Sequence, residues 1–324
     1  MKIFLAGGAG VVGRRLVPVL VAAGHQVVAT TRSASRTEPL RAMGAEPVIL
    51  DALDAEAVRK AVADARPEVV VHQMTALASF KDLRDIDGEL AVTNRLRTEG
   101  TDHLVAAARA AGVRRFVAQS YTGWPNERVG GRVKTEEDPL DPDPPAAMRQ
   151  TLKSIRRLEA TVAGLADMVG VVLRYGSFYG PGTSLGAGGD MLEMVRRRRL
   201  PVIGGGAGIW SFIHMDDVAQ VTRLAVEGGP AGVYNVVDDD PAEVSVWLPE
   251  LARAIGAKPP FRLPAWVGRL AVGEAGVSMM TRGRGSSNAK ARRTWDWRLV
   301  HPSWREGFRR GLQNGPLSAA GQRT

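Results

Sequence analysis

The feature that most constrains this chain is a glycine-rich turn close to its start. Gly7-Gly8-Ala9-Gly10-Val11-Val12-Gly13 follows an apolar run at 2–6 and opens a helical pattern at 11–23. Each glycine has its own physical use. Gly7 permits a tight turn, Gly10 lets the backbone approach a pyrophosphate, and Gly13 allows close helix–strand packing. The helix start then offers free N–H groups and its dipole to the phosphates, with Val11 and Val12 among the donors. Such a turn can also be an ordinary strand-to-helix connection. The strand before it and a second strand pattern at 26–31 are what a dinucleotide site requires.

The end of that second strand discriminates between dinucleotides. An acid there holds the ribose 2′-hydroxyl of NAD. This chain reads Val27-Val28-Ala29-Thr30-Thr31-Arg32-Ser33, with an arginine and no acid. Arg32, assisted by Arg36, suits a 2′-phosphate, so NADP(H) is predicted over NAD(H), with Thr31 at the turn. A charge-assisted hydrogen bond of this kind contributes about 1.5–3 kcal/mol, or roughly 10–150-fold in preference.

Beyond the turn, Val- and Ile-rich runs at 47–50, 68–72, 115–118 and 169–174 alternate with helical patterns at 55–63, within 86–111, and at 148–163. Repeated alternation with right-handed crossovers predicts an α/β fold, a doubly wound parallel sheet. The rhythm breaks at 123–145, where five prolines and three glycines read as a long loop over the sheet's carboxyl edge. Past Gly176 the glycines multiply, and six of the seven tryptophans lie from Trp210 onward, which predicts a smaller second lobe with its own core. The expected division is a nucleotide-binding domain at 1–175, joined by 209–237, and a substrate lobe mainly from 176–324.

Composition excludes several classes. The chain of 324 residues has no cysteine, hence no disulfide scaffold or thiolate metal site. No apolar run approaches a membrane span, and the start resembles no signal peptide, so a cytoplasmic protein without membrane contact is expected. The net charge of +9 is local: from Arg282 onward ten Lys/Arg face two Asp/Glu, leaving +1 to the first 281 residues. No nucleic-acid motif accompanies that segment, so no nucleic-acid partner is expected. Nor is a metal site expected, because His72, His103, His214 and His301 are far apart in sequence.

The sequence resembles the extended short-chain dehydrogenase/reductase family, the NAD(P)-dependent epimerase/dehydratase group. The resemblance is carried by the glycine turn, Asp51 after the third strand, and Pro67-Glu68-Val69-Val70-Val71-His72. Arg114-Arg115-Phe116-Val117-Ala118-Gln119-Ser120, Leu173-Arg174-Tyr175-Gly176-Ser177-Phe178-Tyr179-Gly180-Pro181-Gly182 and Phe212-Ile213-His214-Met215-Asp216-Asp217-Val218-Ala219 extend it, as do Gly232-Val233-Tyr234-Asn235 and Trp304-Arg305-Glu306-Gly307-Phe308. It implies a Rossmann-type lobe with a smaller C-terminal α/β substrate lobe. Asp51 and Ala52 would meet the adenine, Gln73, Met74, Thr75 and Ala76 would run along the cofactor, and Gly176 and Ser177 would line the nicotinamide side. It also implies a homodimer through the helices at 86–111 and 148–163.

The family's catalytic set is where this chain departs. The family uses a Ser/Thr after the fifth strand and a Tyr-x-x-x-Lys helix, in which the tyrosine is the general acid/base and the lysine lowers its pKa and holds the ribose. Here the helix reads Met148-Arg149-Gln150-Thr151-Leu152-Lys153-Ser154-Ile155-Arg156-Arg157-Leu158-Glu159. Anchoring on Lys153 puts Arg149 at the tyrosine position; anchoring on Glu159 puts Thr151 and Ile155 at the pair. No register supplies the tyrosine. The Ser/Thr position falls on Tyr121, with Ser120 before it. Tyr121 is therefore expected either to take over proton transfer, near Lys153 or Arg149, or to pack under the 123–145 loop.

Tyr175, Tyr179 and His214 are further candidates to face substrate, whereas His72 reads as a core residue. Trp210 stands where relatives acting on nucleotide sugars often carry a diphosphate-binding arginine. With Trp247, Trp266, Met279 and Met280 it suggests an apolar or aromatic small-molecule substrate, while Arg282 and Arg284 are available for an anionic group. Three readings follow. The first is an NADP(H)-dependent oxidoreductase or epimerase with a rearranged acid/base. The others are a non-redox isomerase, lyase or cyclase on the same scaffold, and a non-catalytic NADP-sensing protein.

Overall fold

The computed structural model describes residues 1–77, 82–310 and 312. The apolar runs form a seven-stranded, wholly parallel sheet: β1 (Lys2–Ala6), β2 (Gln26–Thr31), β3 (Glu46–Ile49), β4 (Val69–His72), β5 (Arg115–Tyr121), β6 (Val169–Tyr175) and β7 (Gly232–Val236), in spatial order β7-β6-β5-β4-β1-β2-β3. Both faces are covered, so alternate residues of one strand enter different cores. Ile3 and Leu5 pack with the Val11–Ala22 and Met215–Glu227 helices, while Phe4 and Ala6 pack with Ala55–Ala65, Thr101–Ala110 and Arg149–Ala163.

Two differences from the sequence reading bear on the site. β5 runs on to Tyr121, so that residue ends a strand, registered opposite Tyr175, and does not begin a loop. The long helix expected within 86–111 is broken into Ile86–Glu89, Ala91–Arg95, a π-helical turn at Leu96–Gly100, and Thr101–Ala110. The 123–145 loop is held down by a short pairing of Val133–Lys134 with Gly285–Ser286.

A third core lies beyond the sheet, where Phe212, Trp247, Trp304 and Phe308 interlock around the buried Tyr179. Buried carboxylates tie the chain's end to this body. Asp217 accepts from the N–H groups of Val300 (2.6 Å) and His301 (3.0 Å), and Asp238 accepts from Trp304 N–H (2.7 Å). Of the basic segment, Arg323 falls outside the described residues, as does 313–324 of the expected second lobe.

The helix Arg149–Ala163 is fixed by a buried polar cluster. Glu159 receives Arg174 bidentately (2.8 and 2.6 Å) and the Ser120 hydroxyl (2.7 Å), joining the helix to β5 and β6. Removing one partner of such a pair leaves an uncompensated charge, whereas replacing both by apolar groups is far milder. Glu159→Leu is expected to cost about 3–5 kcal/mol in urea unfolding, and Glu159→Leu with Arg174→Leu to recover most of it. A single variant as stable as the parent would deny the cluster this role.

His72 ends β4 fully buried, as a core residue. Its Nε2 bonds Leu96 O (3.2 Å) and its Nδ1 accepts from Met74 N–H (3.2 Å), which is the neutral tautomer. Burial, opposed by the Leu96 bond, pushes its pKa down to about 4. A histidine depressed in the folded state stabilises above its unfolded pKa and loses that contribution as pH falls. Asp217 acts oppositely: burial raises it to about 6, so its contribution fades as pH rises through that value. His72→Gln keeps both hydrogen bonds and does not titrate. The stability difference between parent and variant should therefore shift by about 3 kcal/mol against the parent from pH 7 to pH 4. Parallel urea titrations would check it; a constant difference would refute it.

Candidate active site and cofactor cradle

At the carboxyl end of β1 the chain turns through Gly7, whose φ of +94° and near contact with the β4 exit exclude a side chain: a Cβ would lie 2.8 Å from Gln73 O. At Gly13 a Cβ would fall 2.3 Å from Gly8 O, so the helix can sit against the turn only with glycine there. Gly10 is different, since a Cβ there meets only Gly7 O at 3.2 Å and its outer side is open. Gly10 also starts the Val11–Ala22 helix with no side-chain cap. The N–H groups of Val11, Val12 and Gly13 have no acceptor among the described residues. An uncapped helix start behind an open glycine backbone fits a pyrophosphate.

At the adenine end, Thr31 is buried and its hydroxyl accepts from Ser33 N–H (3.2 Å). Arg32 and Arg36 are exposed, and neither side chain pairs with a carboxylate among the described residues. Asp51 is exposed and accepts from Leu53 N–H (3.0 Å), beside the buried Ala52. The segment after β4 is held from behind, with Ala76 N–H on Thr93 Oγ1 (3.0 Å) and Gln73 Nε2 on the Tyr175 hydroxyl (3.2 Å). Met74, Thr75 and Ala76 keep partly open surfaces. Gly176 leaves no room for a side chain, since a Cβ would sit 2.5 Å from Ser211 O.

A cleft opens at the sheet's edge beside Tyr121 and Ser177, flanked by Trp124, Trp210, Met279 and Gly283. Tyr121 Oη lies 3.2 Å from Ser177 Oγ. Burial raises the phenol, partly offset by that bond, so Tyr121 stays protonated and acts as a donor. Trp210 gives its indole N–H to Met279 O (3.3 Å) and lies 4.9 Å, ring to ring, from Trp247. Of the apolar cap residues, Trp210 and Met279 reach the cleft; Trp247 and Met280 are core, and Trp266 is exposed.

The helix that should carry the acid/base pair presents neither expected cation. Arg149 pairs with Asp143 (3.3 Å) and is exposed, as is Lys153. Both point away because the Glu159 cluster turns the opposite face inward, the face that carries Thr151, Ile155 and Glu159. Thr151 Oγ1 donates to Asp87 (2.7 Å) and accepts from Asn94 Nδ2 (3.0 Å). Of the two registers, the one anchored on Glu159, with Thr151 and Ile155 at the pair, is the one on the buried face. Ser120 is likewise turned from the cleft, its hydroxyl spent on Glu159.

Three candidates for substrate contact are core residues instead. Tyr175 is fully buried, its hydroxyl 2.7 Å from Thr222 Oγ1, and Tyr179 is fully buried among Phe212, His214 and Phe308. His214 is buried and caps the Met215–Glu227 helix by accepting from Asp216 N–H (3.2 Å). The fold does bring it together with Asp216 and His301, whose candidate ligand atoms all lie within 4.8 Å of one another. In that cluster the two imidazole ring centroids lie 3.7 Å apart with the rings tilted by 41°, and Arg15 stands 3.8 Å from Asp216. Arg282 is engaged by Glu274 (2.6 Å), whereas the buried Nε of Arg284 has no partner among the described residues.

The sequence reading missed Arg97 and Asn94. Arg97 sits in Arg95-Leu96-Arg97-Thr98-Glu99, a charge pattern that reads as a solvated helix face, yet it is 8 % exposed. The π-helical turn changes which residue faces inward.

Residues 3–236 match the model of the NAD dependent epimerase/dehydratase family. The chain is 45% identical over 311 residues to a Streptomyces sp. protein named 3-diazoavenalumate denitrifying reductase, covering 96% of this chain and 100% of the relative. Its fold is shared by UDP-glucose 4-epimerase of Thermotoga maritima with UDP-glucose, at TM-score 0.75 and 22% identity over 96% of this chain and 97% of that one. The Thermus thermophilus UDP-glucose 4-epimerase complex with NAD gives TM-score 0.74 at 23% identity, covering 96% and 98%. No helix among the described residues is long and apolar enough to cross a membrane. The chain is an enzyme of the oxidoreductase and epimerase kind, and it belongs to the NAD dependent epimerase/dehydratase family.

Proposed function

We propose that this enzyme is a nicotinamide-dependent reductase that converts a diazo-bearing conjugated carboxylate to its hydrogen-substituted form with loss of dinitrogen, using NADPH in preference to NADH. The observation that carries the reading is Thr151 and Ile155 at the acid/base positions, in a chain similar end to end to a denitrifying reductase of a diazo acid. A carbonyl reduced by hydride becomes an alkoxide and calls for a strong general acid. A diazonium group already carries positive charge; it gains hydride at the cost of its nitrogen, which leaves as N2, and no alkoxide forms. A site without tyrosine and lysine suits that chemistry.

When bound, the cofactor supplies the hydride. The residues that would hold it are Gly7, Gly10, Val11, Val12 and Gly13 at the pyrophosphate, Asp51 and Ala52 at the adenine, and Gln73–Ala76, Gly176 and Ser177 toward the nicotinamide. Arg32 and Arg36, free of carboxylates among the described residues, favour a 2′-phosphate. Tyr121, kept protonated by burial and bonded to Ser177, hydrogen-bonds a neutral diazo substrate and gives up its proton only as hydride arrives and N2 leaves, after which solvent reprotonates the phenol. Trp124, Trp210 and Met279 flank a conjugated plane, and Arg284, which follows the lining residue Gly283 in sequence and lacks an acidic partner among the described residues, is the cation offered to the carboxylate.

With an aromatic diazo carboxylate, NADPH consumption should match dinitrogen release one for one. Turnover of ketones with none of the diazo acid would overturn the proposal. Tyr121→Phe should lower kcat/KM by roughly 10²-fold, the low end for a lost positioned acid; an unchanged rate would mean that the phenol only packs beneath the loop. Arg32→Ala should raise the ratio of the NADPH Kd to the NADH Kd by roughly 10–150-fold. Equal binding of both cofactors to the parent would reject the preference.

A further inference from the structure

Arg97 is a buried cation with too few partners. It is 8 % exposed, and its one hydrogen bond is a long contact from Nη1 to Asn94 Oδ1 (3.4 Å). No carboxylate pairs with it among the described residues, and the rest of its guanidinium makes no hydrogen bond to them. The nearest buried acid is Glu159, already held by Arg174 on both oxygens and by Ser120. The buried set Arg97, Arg174 and Glu159 therefore carries a net positive charge. Burial lowers the Arg97 pKa to about 10, which leaves it charged at neutral pH. Its unbonded nitrogens are not fully enclosed, so they open onto space where a ligand can accept from them.

Its position says what that ligand is. The turn that carries Arg97 lies along the β4 exit: Leu96 O meets His72 Nε2, Thr93 Oγ1 receives Ala76 N–H, and Gly100 approaches Met74 and Ala52. That exit runs between the pyrophosphate turn and the Tyr121–Ser177 cleft. On the other side stands the Arg149–Ala163 helix, whose inward face has Ile155 where a ribose-holding lysine belongs. A cation is thus missing from the helix and present, unpaired, on the neighbouring turn.

We infer that Arg97 is a cofactor-binding residue that donates to the hydroxyls of the nicotinamide ribose, supplying from the π-helical turn the cation that Ile155 withholds. The inference rests on nicotinamide-cofactor binding and not on the identity of the substrate. Its planar fork of donors suits a vicinal diol as well as it suits a carboxylate. No carboxylate among the described residues pairs with it, Glu159 being held by Arg174 and Ser120, so the contact is available without breaking an ion pair.

The test uses the full chain without substrate, titrated with NADPH and with 2′,5′-ADP, which lacks the nicotinamide ribose. Arg97→Met should weaken NADPH binding roughly ten- to hundredfold and leave 2′,5′-ADP binding unchanged. Its melting temperature without ligand should be close to the parent's, because no carboxylate pairs with Arg97 among the described residues. Arg97→Lys should restore part of the NADPH affinity. Unchanged NADPH affinity in Arg97→Met overturns the inference. Equal losses for both ligands do so too, since they would report a structural role. So would an intact cofactor Kd with a raised substrate KM, which would assign the cation to substrate. None of these outcomes depends on whether a diazo acid is turned over.

Discussion

The bond between Glu159 and Arg174 sets much of what this site can do. It is buried, bidentate and completed by Ser120, so it fixes the rotation of the Arg149–Ala163 helix against β5 and β6. Once Glu159 faces inward, residues one and two turns earlier face inward with it, and these are Ile155 and Thr151. Arg149 and Lys153 are then directed to solvent. One ion pair thereby decides that the inward face presents an aliphatic side chain and a hydroxyl bound to Asp87.

The consequences run through the polar groups nearby. Without a lysine to depress a phenol's pKa, the phenol left at the cleft is Tyr121, which burial keeps protonated. That favours hydrogen-bond donation over proton abstraction. Arg97 lies on the adjacent turn, a buried cation that no carboxylate pairs with among the described residues. The protonated phenol and the outward turn of Arg149 and Lys153 are the features on which the proposed reduction rests.

Much of the fold was legible because its signals are local. A turn that only glycine can make, flanked by a strand and a helix start, identifies the cradle from residues within about one supersecondary unit. Strands buried on both faces read as continuous Val- and Ile-rich runs. The missing tyrosine was legible too, since no register of 148–159 contains one. Tyr175, Tyr179 and His214 were misread as substrate contacts because burial is not local. Their positions after β6 and before the Met215–Glu227 helix suggest a cleft, but Thr222, Phe212 and Phe308 arrive from distant segments to enclose them. Arg97 was overlooked for the converse reason, as a charged helix residue reads as exposed until a π-helical turn rotates it inward.

By itself, then, the sequence determined the parallel sheet, the glycine cradle, the arginine at the end of β2 and the loss of the tyrosine. Each follows from backbone geometry or residue type at a place defined by its immediate neighbours. Tertiary structure decided which face of the Arg149–Ala163 helix looks inward, which phenol meets the cleft and which cation is left unpaired. Those outcomes depend on contacts between segments tens of residues apart. A side chain's exposure and charge environment are properties of that packing, not of its position in the chain.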